Sequence, residues 1–119
     1  MKAVKINFTD PRKKELITAE VTEAAGFFGK LSGLIARKKL KDDQGFLIKN
    51  CNSIHTMGMI YSIDAVFLDK DNRVLMIYNN LKPLRVTPFV RDAFFVLEVR
   101  AGTIKRTSLT AGDLINFEA

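Results

Sequence analysis

Apolar and polar residues alternate at the start of the chain, with Val4, Ile6 and Phe8 on one side of residues 2–8, the period of a half-buried β-strand. Leu16, Ile17, Thr18, Ala19, Glu20 and Val21 form a second run suited to a pleated surface and predict another strand. The period then changes. Thr22 has the character of a helix N-cap, and Glu23 favours the positive end of a helix dipole. Ala24, Phe27, Phe28, Leu31, Leu34 and Ile35 follow at helical spacing, predicting one amphipathic helix over about 22–36. Gly26, Gly29 and Gly33 each cost about 1 kcal/mol relative to alanine in a helix, and their shared face allows close approach to a strand.

Further on, Phe46, Leu47 and Ile48 predict a short strand opened by Gly45. Two apolar runs, 63–68 and 74–78, flank the polar stretch Asp69, Lys70, Asp71, Asn72 and Arg73, a strong hairpin pattern. Residues 94–99 read as a central strand and 114–117 as a last one. Thr103 is placed to cap a short helical turn over about 103–109, which Gly112 would end. Met57, Met59 and Tyr61 alternate as strand residues do, and read as core positions. The expected fold class is therefore α+β and β-dominated. It is a strongly bent antiparallel or mixed sheet, or a partly closed small barrel, with one amphipathic helix and one helical turn.

The 119 residues contain no repeat, low-complexity tract or linker, so residues 1–119 are expected to form a single domain. With 47% apolar residues the chain can build a core without staples. Cys51 is the only cysteine, which excludes an intramolecular disulfide and a multi-cysteine zinc site. Charges at Asp10, Arg12, Lys13, Lys14 and Glu15 interrupt any leader-like run, so the chain as given is expected in the cytoplasm, or exported if a leader has been removed. No window approaches a membrane span. The net charge is +6, with basic clusters at Arg12–Lys14 and Arg37–Lys39. Such clusters could meet phosphate or an anionic surface. Asp42 and Asp43 blunt the second, and no aromatic-interleaved or helix-turn-helix pattern supports nucleic-acid binding.

Candidate chemistry concentrates in residues 51–64, which hold the only cysteine, the only histidine, the hydroxyls of Ser53 and Thr56, and Asp64. A Cys51–His55 pair could activate a thiolate, but residues four apart on a continuous strand sit roughly 13 Å apart. Only a sharp bend would bring them together, so Cys51 reads first as a small buried hydrophobe. His55 could be a general base, a ligand-binding donor or a core histidine. Without a second histidine no metal site is expected, and no cofactor. Asp64, ahead of an apolar strand, must cap a backbone turn or pair with a cation. Glu98, between Leu97 and Val99, falls by alternation on the opposite side from its neighbours and reads as solvent-exposed. Arg37 is a candidate partner for either acid. No glycine-rich phosphate loop, Gly-x-Ser-x-Gly elbow or His-Glu-x-x-His helix is present.

Taken in order, these residues resemble a known family. Gly33-Leu34-Ile35-Ala36-Arg37, Gly45-Phe46-Leu47, Cys51-x-Ser53-Ile54-His55-Thr56-x-x-Met59 and Ile63-Asp64-x-Val66-Phe67-Leu68-Asp69 are similar to the bacterial and archaeal domain of unknown function DUF192. Val96-Leu97-Glu98-Val99-x-Ala101-Gly102 and Gly112-Asp113 continue the likeness, which runs from about residue 18 to the C-terminus. The resemblance implies a compact β-rich fold with a short helix packed on it, and no established activity. Many members look exported. Ser62, Ile35 and Arg100 depart from the family pattern, where proline, methionine and proline are usual; Arg37, His55, Thr56, Asp64 and Glu98 match it. With Cys51 they form the candidate polar cluster.

Three functions fit these residues. The favoured one is a small non-catalytic binding or accessory module, holding a small polar ligand or a peptide strand in a polar cleft near residues 51–64. The second is a hydrolase or transferase with His55 as base and Thr56 or Cys51 as nucleophile. The third is a nucleic-acid or anionic-surface binder using the basic clusters.

Overall fold

The computed structural model describes residues 3–8, 16–24, 44–57 and 59–118, with side chains in the first two stretches limited to Val21. Seven strands form one mixed sheet: β1 (Ala3–Phe8), β2 (Leu16–Ala24), β3 (Gln44–Lys49), β4 (Ile63–Leu68), β5 (Val74–Leu81), β6 (Phe95–Arg100) and β7 (Ile115–Glu118). Their order across the sheet is β5-β4-β6-β3-β2-β1-β7. All neighbours are antiparallel except β2 and β3, which run parallel from Glu20↔Gln44 to Ala24↔Ile48. The two edge strands meet at one point. Arg73, ahead of β5, bridges Leu114, ahead of β7. Val74 N–H donates to the Asp113 carbonyl (2.8 Å) and Ile115 N–H to the Asn72 carbonyl (3.0 Å). This single bridge joins the two edges of an otherwise open sheet, in place of the barrel that the sequence allowed.

Curling gives the sheet an inner and an outer apolar face. Inside lie Val21, Leu47, Val66, Leu68, Val74, Leu97, Val99 and Ile115, one from each alternate position of their strands. Outside lie Ile48, Ile63, Ala65, Phe67 and Val96, covered by Cys51, Ile54 and Met59 from the segment after β3. All six residues of β4 are buried, because both faces of that strand are covered. β6 sits centrally between β3 and β4, and Gly45 lets β3 approach it closely. A Cβ there would lie 3.1 Å from the Glu98 carbonyl oxygen.

The β4–β5 hairpin turns through the stretch its polar residues mark. The Asp69 carboxylate accepts from the N–H groups of Asp71 (2.8 Å) and Arg73 (3.0 Å), and Asn72 takes φ +66°. Such side-chain bonding to nearby backbone is what makes Asp and Asn turn residues.

The helix expected over about 22–36 requires correction. Thr22, Glu23 and Ala24 continue β2, and no α-helix occurs among the described residues. Residues 25–36 of that expectation lie outside the described residues. Thr22 is paired with Ala3 on one side and Phe46 on the other. Ladder bonds on both sides outweigh the modest preference of a threonine for an N-cap, and β-branched residues suit the pleat. The turn expected near 103–109 is a three-residue 3-10 turn, Ile104–Arg106, with no side-chain cap from Thr103. It stops where Thr107 becomes extended and its hydroxyl donates to the Ile104 carbonyl (2.7 Å). Gly112 (φ +95°) instead serves the turn that delivers β7 to the seam.

Candidate functional site

The segments 51–59 and 82–94 lie over the outer face and are stitched to each other as an irregular antiparallel ribbon. Cys51 N–H donates to the Phe94 carbonyl (3.0 Å), Val90 N–H to Asn52 (2.8 Å), Thr87 N–H to Ile54 (2.9 Å) and Thr56 N–H to Arg85 (2.8 Å). His55 and Val86 form the central bridge. Two threonines lock the ribbon from within. The Thr56 hydroxyl donates to the Lys82 carbonyl (2.7 Å) and accepts from Arg85 N–H (2.8 Å), while Thr87 Oγ1 accepts from Ile54 N–H (3.0 Å). Ile54, Thr56 and Thr87 face the sheet and are buried. Residues directly opposite in an antiparallel pair share a side, so His55 and Val86 leave on the other, outward one.

Leu84, two positions from Val86, lies on the bend at the end of the ribbon. Met57 follows at the turn closed by Met59 N–H on the Thr56 carbonyl (3.2 Å). Met57, Ile60, Leu84, Val86 and Phe89 are all more than half exposed, Ile60 at 87%. Leu84 even sits at φ +60°, a conformation in which branched, bulky residues are strained. Nδ1 of His55 is buried and has no hydrogen-bond partner among the described residues.

The candidate polar cluster does not converge. Arg37 lies outside the described residues. Asp64 shares the inner face with Val66 and Leu68, whereas Glu98 shares the outer face with Val96. Asp64 is fully buried and engaged by backbone. Its carboxylate accepts from the N–H groups of Asn80 (2.7 Å), Gly102 (3.0 Å) and Ile104 (3.0 Å). It therefore caps turns at one end of the sheet.

Glu98 is 4% exposed, contrary to the expected solvent exposure, because the ribbon covers the outer face of β6. Burial alone pushes its carboxyl up to about 7. Cys51 lies close enough to feel that charge. Burial first, and Glu98 to a lesser extent, push its thiol up to about 12, against the opposing effect of the Ser53 backbone, while the S–H donates to the Ser53 carbonyl (3.1 Å). Such a thiol stays protonated near neutrality and is a poor nucleophile. The Thr56 hydroxyl is likewise committed to backbone groups on both its donor and acceptor sides.

The alternation expected of Met57, Met59 and Tyr61 also fails. The stretch is an irregular turn, with Met57 exposed and Met59 buried. Sequence reasoning did not single out Ile60, Leu84, Val86 or Phe89. The signal available was apolar residues among Lys82, Pro83, Arg85 and Pro88, with no period to assign them a core. Among the described residues no group of three or more His, Cys, Asp or Glu is placed to hold a metal ion, and no helix is long and apolar enough to cross a membrane.

Two solved structures are similar in fold. A protein of unknown function from Novosphingobium aromaticivorans DSM 12444 matches with a TM-score of 0.78 and 21% identity, over 96% of this chain and 84% of that one. A protein from Sinorhizobium meliloti 1021, described as a "putative transcription regulator", matches with a TM-score of 0.79 and 20% identity, over 97% of this chain and 93% of that one. No curated protein matches the sequence. The model of DUF192, described as an uncharacterized ACR, matches residues 8–117, nearly the whole chain. Together with the motifs from Gly45 to Gly112, that match means that the chain belongs to the DUF192 family, whose function is unknown.

Proposed function

We propose that this protein is a non-catalytic binding module whose contact surface is the outward face of the ribbon formed by residues 54–60 and 84–89. One observation carries this reading: Met57, Ile60, Leu84, Val86 and Phe89, all on two segments bonded backbone to backbone, expose most of their surface, and Val86 bridges His55. Contiguous exposed apolar residues on a small domain mark interaction sites far more often than scattered ones do. A buried polar atom without a partner costs about 1–3 kcal/mol, and Nδ1 of His55, opposite Val86 in that bridge, is such an atom among the described residues. The surface replaces the polar cleft expected near residues 51–64, because Asp64 and Glu98 lie on opposite faces of the sheet. What it holds is a partner with an apolar side of its own, rather than a small polar molecule.

A photo-crosslinking residue placed at Val86 in the living cell tests the reading, with one at Lys105 as control. Lys105 is also exposed but lies on the 3-10 turn. A product specific to position 86 is expected; equal labelling from both positions would count against a dedicated surface. The enzyme reading has less support. Its two nucleophile candidates are a thiol held protonated and a hydroxyl bonded on both sides. The nucleic-acid reading rests on Arg12–Lys14 and Arg37–Lys39, which lie outside the described residues. The likeness to the Sinorhizobium meliloti protein adds only a shared fold.

A further inference from the structure

We infer that the partner of this face is an anionic lipid surface, which the ribbon meets with its turn end first. The inference rests on the ribbon being the contact surface and names what that surface meets. Three observations lead to it.

The first is shape. These apolar side chains line neither of two hollows that the described residues form. The hollow of about 380 Å³ beside Asp69, Asp71 and Phe94 contains none of them, nor does that of about 260 Å³ beside Asp64, Asn80 and Lys105. A bound peptide buries its backbone in a groove or along a sheet edge, whereas isolated protruding side chains enter the loosely packed boundary between headgroups and acyl chains.

The second is charge. Residues 50–62 carry no acid, and residues 82–94 carry Lys82, Arg85 and Arg91 against the single acid Asp92. All three cations are exposed. Cations beside an anionic bilayer each add attraction that salt screens. Docking the face on a second copy of this chain would instead set these cations against their own images.

The third is direction. The acids Asp69, Asp71 and Asp92 gather at the foot of the ribbon, around Phe94. Met57, Leu84, Lys82 and Arg85 lie at the opposite, turn end, where Leu84 N–H bonds to the Thr56 carbonyl (3.2 Å). The ribbon is thus basic and apolar at its tip. Its base mixes those acids with Arg91 and with Lys70, whose ammonium lies 5.5 Å from the centroid of the Phe94 ring, so an anionic layer would be met tip first.

Co-sedimentation of the full chain with vesicles tests this. Phosphatidylcholine vesicles are compared with about three-to-one mixtures of phosphatidylcholine and phosphatidylglycerol, at about 20 and about 150 mM salt. The expected result is partitioning onto the anionic vesicles that is weaker at the higher salt and near background on phosphatidylcholine. I60S/F89S is expected to lower the partition coefficient by about tenfold or more, and K82Q/R85Q by about tenfold on the anionic vesicles only. All four side chains are exposed, so circular dichroism and the melting temperature should stay unchanged.

Absence of wild-type binding to anionic vesicles overturns the inference. So does binding that I60S/F89S leaves intact, since that would be plain polycation attraction. If the wild type instead dimerises, or retains an acidic apolar peptide, and I60S/F89S abolishes this, the lipid assignment falls while the contact-surface reading stands. If I60S/F89S changes none of these assays, both readings fall.

Discussion

Two carboxylic acids one step apart in the β4–β6 ladder are buried in opposite ways. Asp64 pairs with Val99 and faces inward; Glu98 pairs with Ala65 and faces outward. Asp64 lies near the end of its strand, beside a register shift where Asn80 (φ +54°) turns its N–H away from the ladder, and beside the 101–104 turn. Three N–H groups that no ladder uses are therefore free to meet its two oxygens. Glu98 lies in mid-strand between β3 and β4, where both ladders consume the backbone donors. Its carboxyl is left to burial. The difference teaches that where a polar group falls along a strand decides its state as much as how deeply it is buried.

The comparison is broken most directly at Asp64. Asp64→Ala strands three buried N–H groups, and we expect a loss of about 3–5 kcal/mol in urea unfolding, a large part of the stability of a domain this size. Asp64→Asn keeps one acceptor oxygen and should fall between. A loss below about 1 kcal/mol would mean that water replaces the carboxylate, removing the contrast.

Glu98 sharpens the other side through pH. Its folded value of about 7 lies above the ordinary 4.5, so the folded state holds the proton more tightly than the unfolded chain. Stability on this account is greatest below about 4.5, falls as pH rises through about 7, and is flat above. The ceiling is about 3 kcal/mol. Glu98→Gln should remove that slope and raise the melting temperature at pH 8, with little change at pH 4. A wild-type curve without the slope would show that the carboxyl finds a donor after all.

The smallest effect concerns the cover over Glu98. Thr56→Val removes the acceptor for Arg85 N–H and the donor to Lys82, at about 1–2 kcal/mol. Hydrogen exchange should quicken at Arg85 while the β4 amides stay protected. Uniform quickening would mean that ribbon and sheet open together.

Much of the sheet could be read from the chain because the signal there is local. The hairpin at 69–73 declares itself through Asp69 and Asn72, and the β4 and β6 runs through apolar residues interrupted by Asp64 in one and Glu98 in the other. Thr22 could not be read correctly, since its place in β2 depends on pairing with Ala3 and Phe46, neither of them a sequence neighbour. Glu98 failed for a related reason. Alternation correctly put it on the far face from Leu97 and Val99, yet only the fold reveals that residues 51–59 and 82–94 cover that face. For Asp64 the sequence left a turn cap or a cation partner open, because a carboxylate ahead of an apolar strand has few other solutions. Its three N–H partners come from Asn80, Gly102 and Ile104, which only the fold brings together. Cys51 and Thr56 were recognisable by type, but their commitments to Ser53, Lys82 and Arg85 are tertiary. The exposed apolar residues carried no period at all, which in retrospect distinguishes side chains that face outward from those that build a core.

The seam between Arg73 and Leu114 also sets a time order. In the sheet β1 lies against β7, so the strands nearest the two ends of the sequence must find each other before the sheet is complete. Closing a loop of nearly the whole chain comes late, because its entropy is lost before its contacts are gained. The hairpin β4–β5 and its neighbour β6 can assemble early around Val66 and Leu97, whereas the last strand acts as a latch. Folding should therefore be slow for a protein of this length, and a brief population with β7 undocked would leave the edges of β1 and β5 open to pairing with other chains.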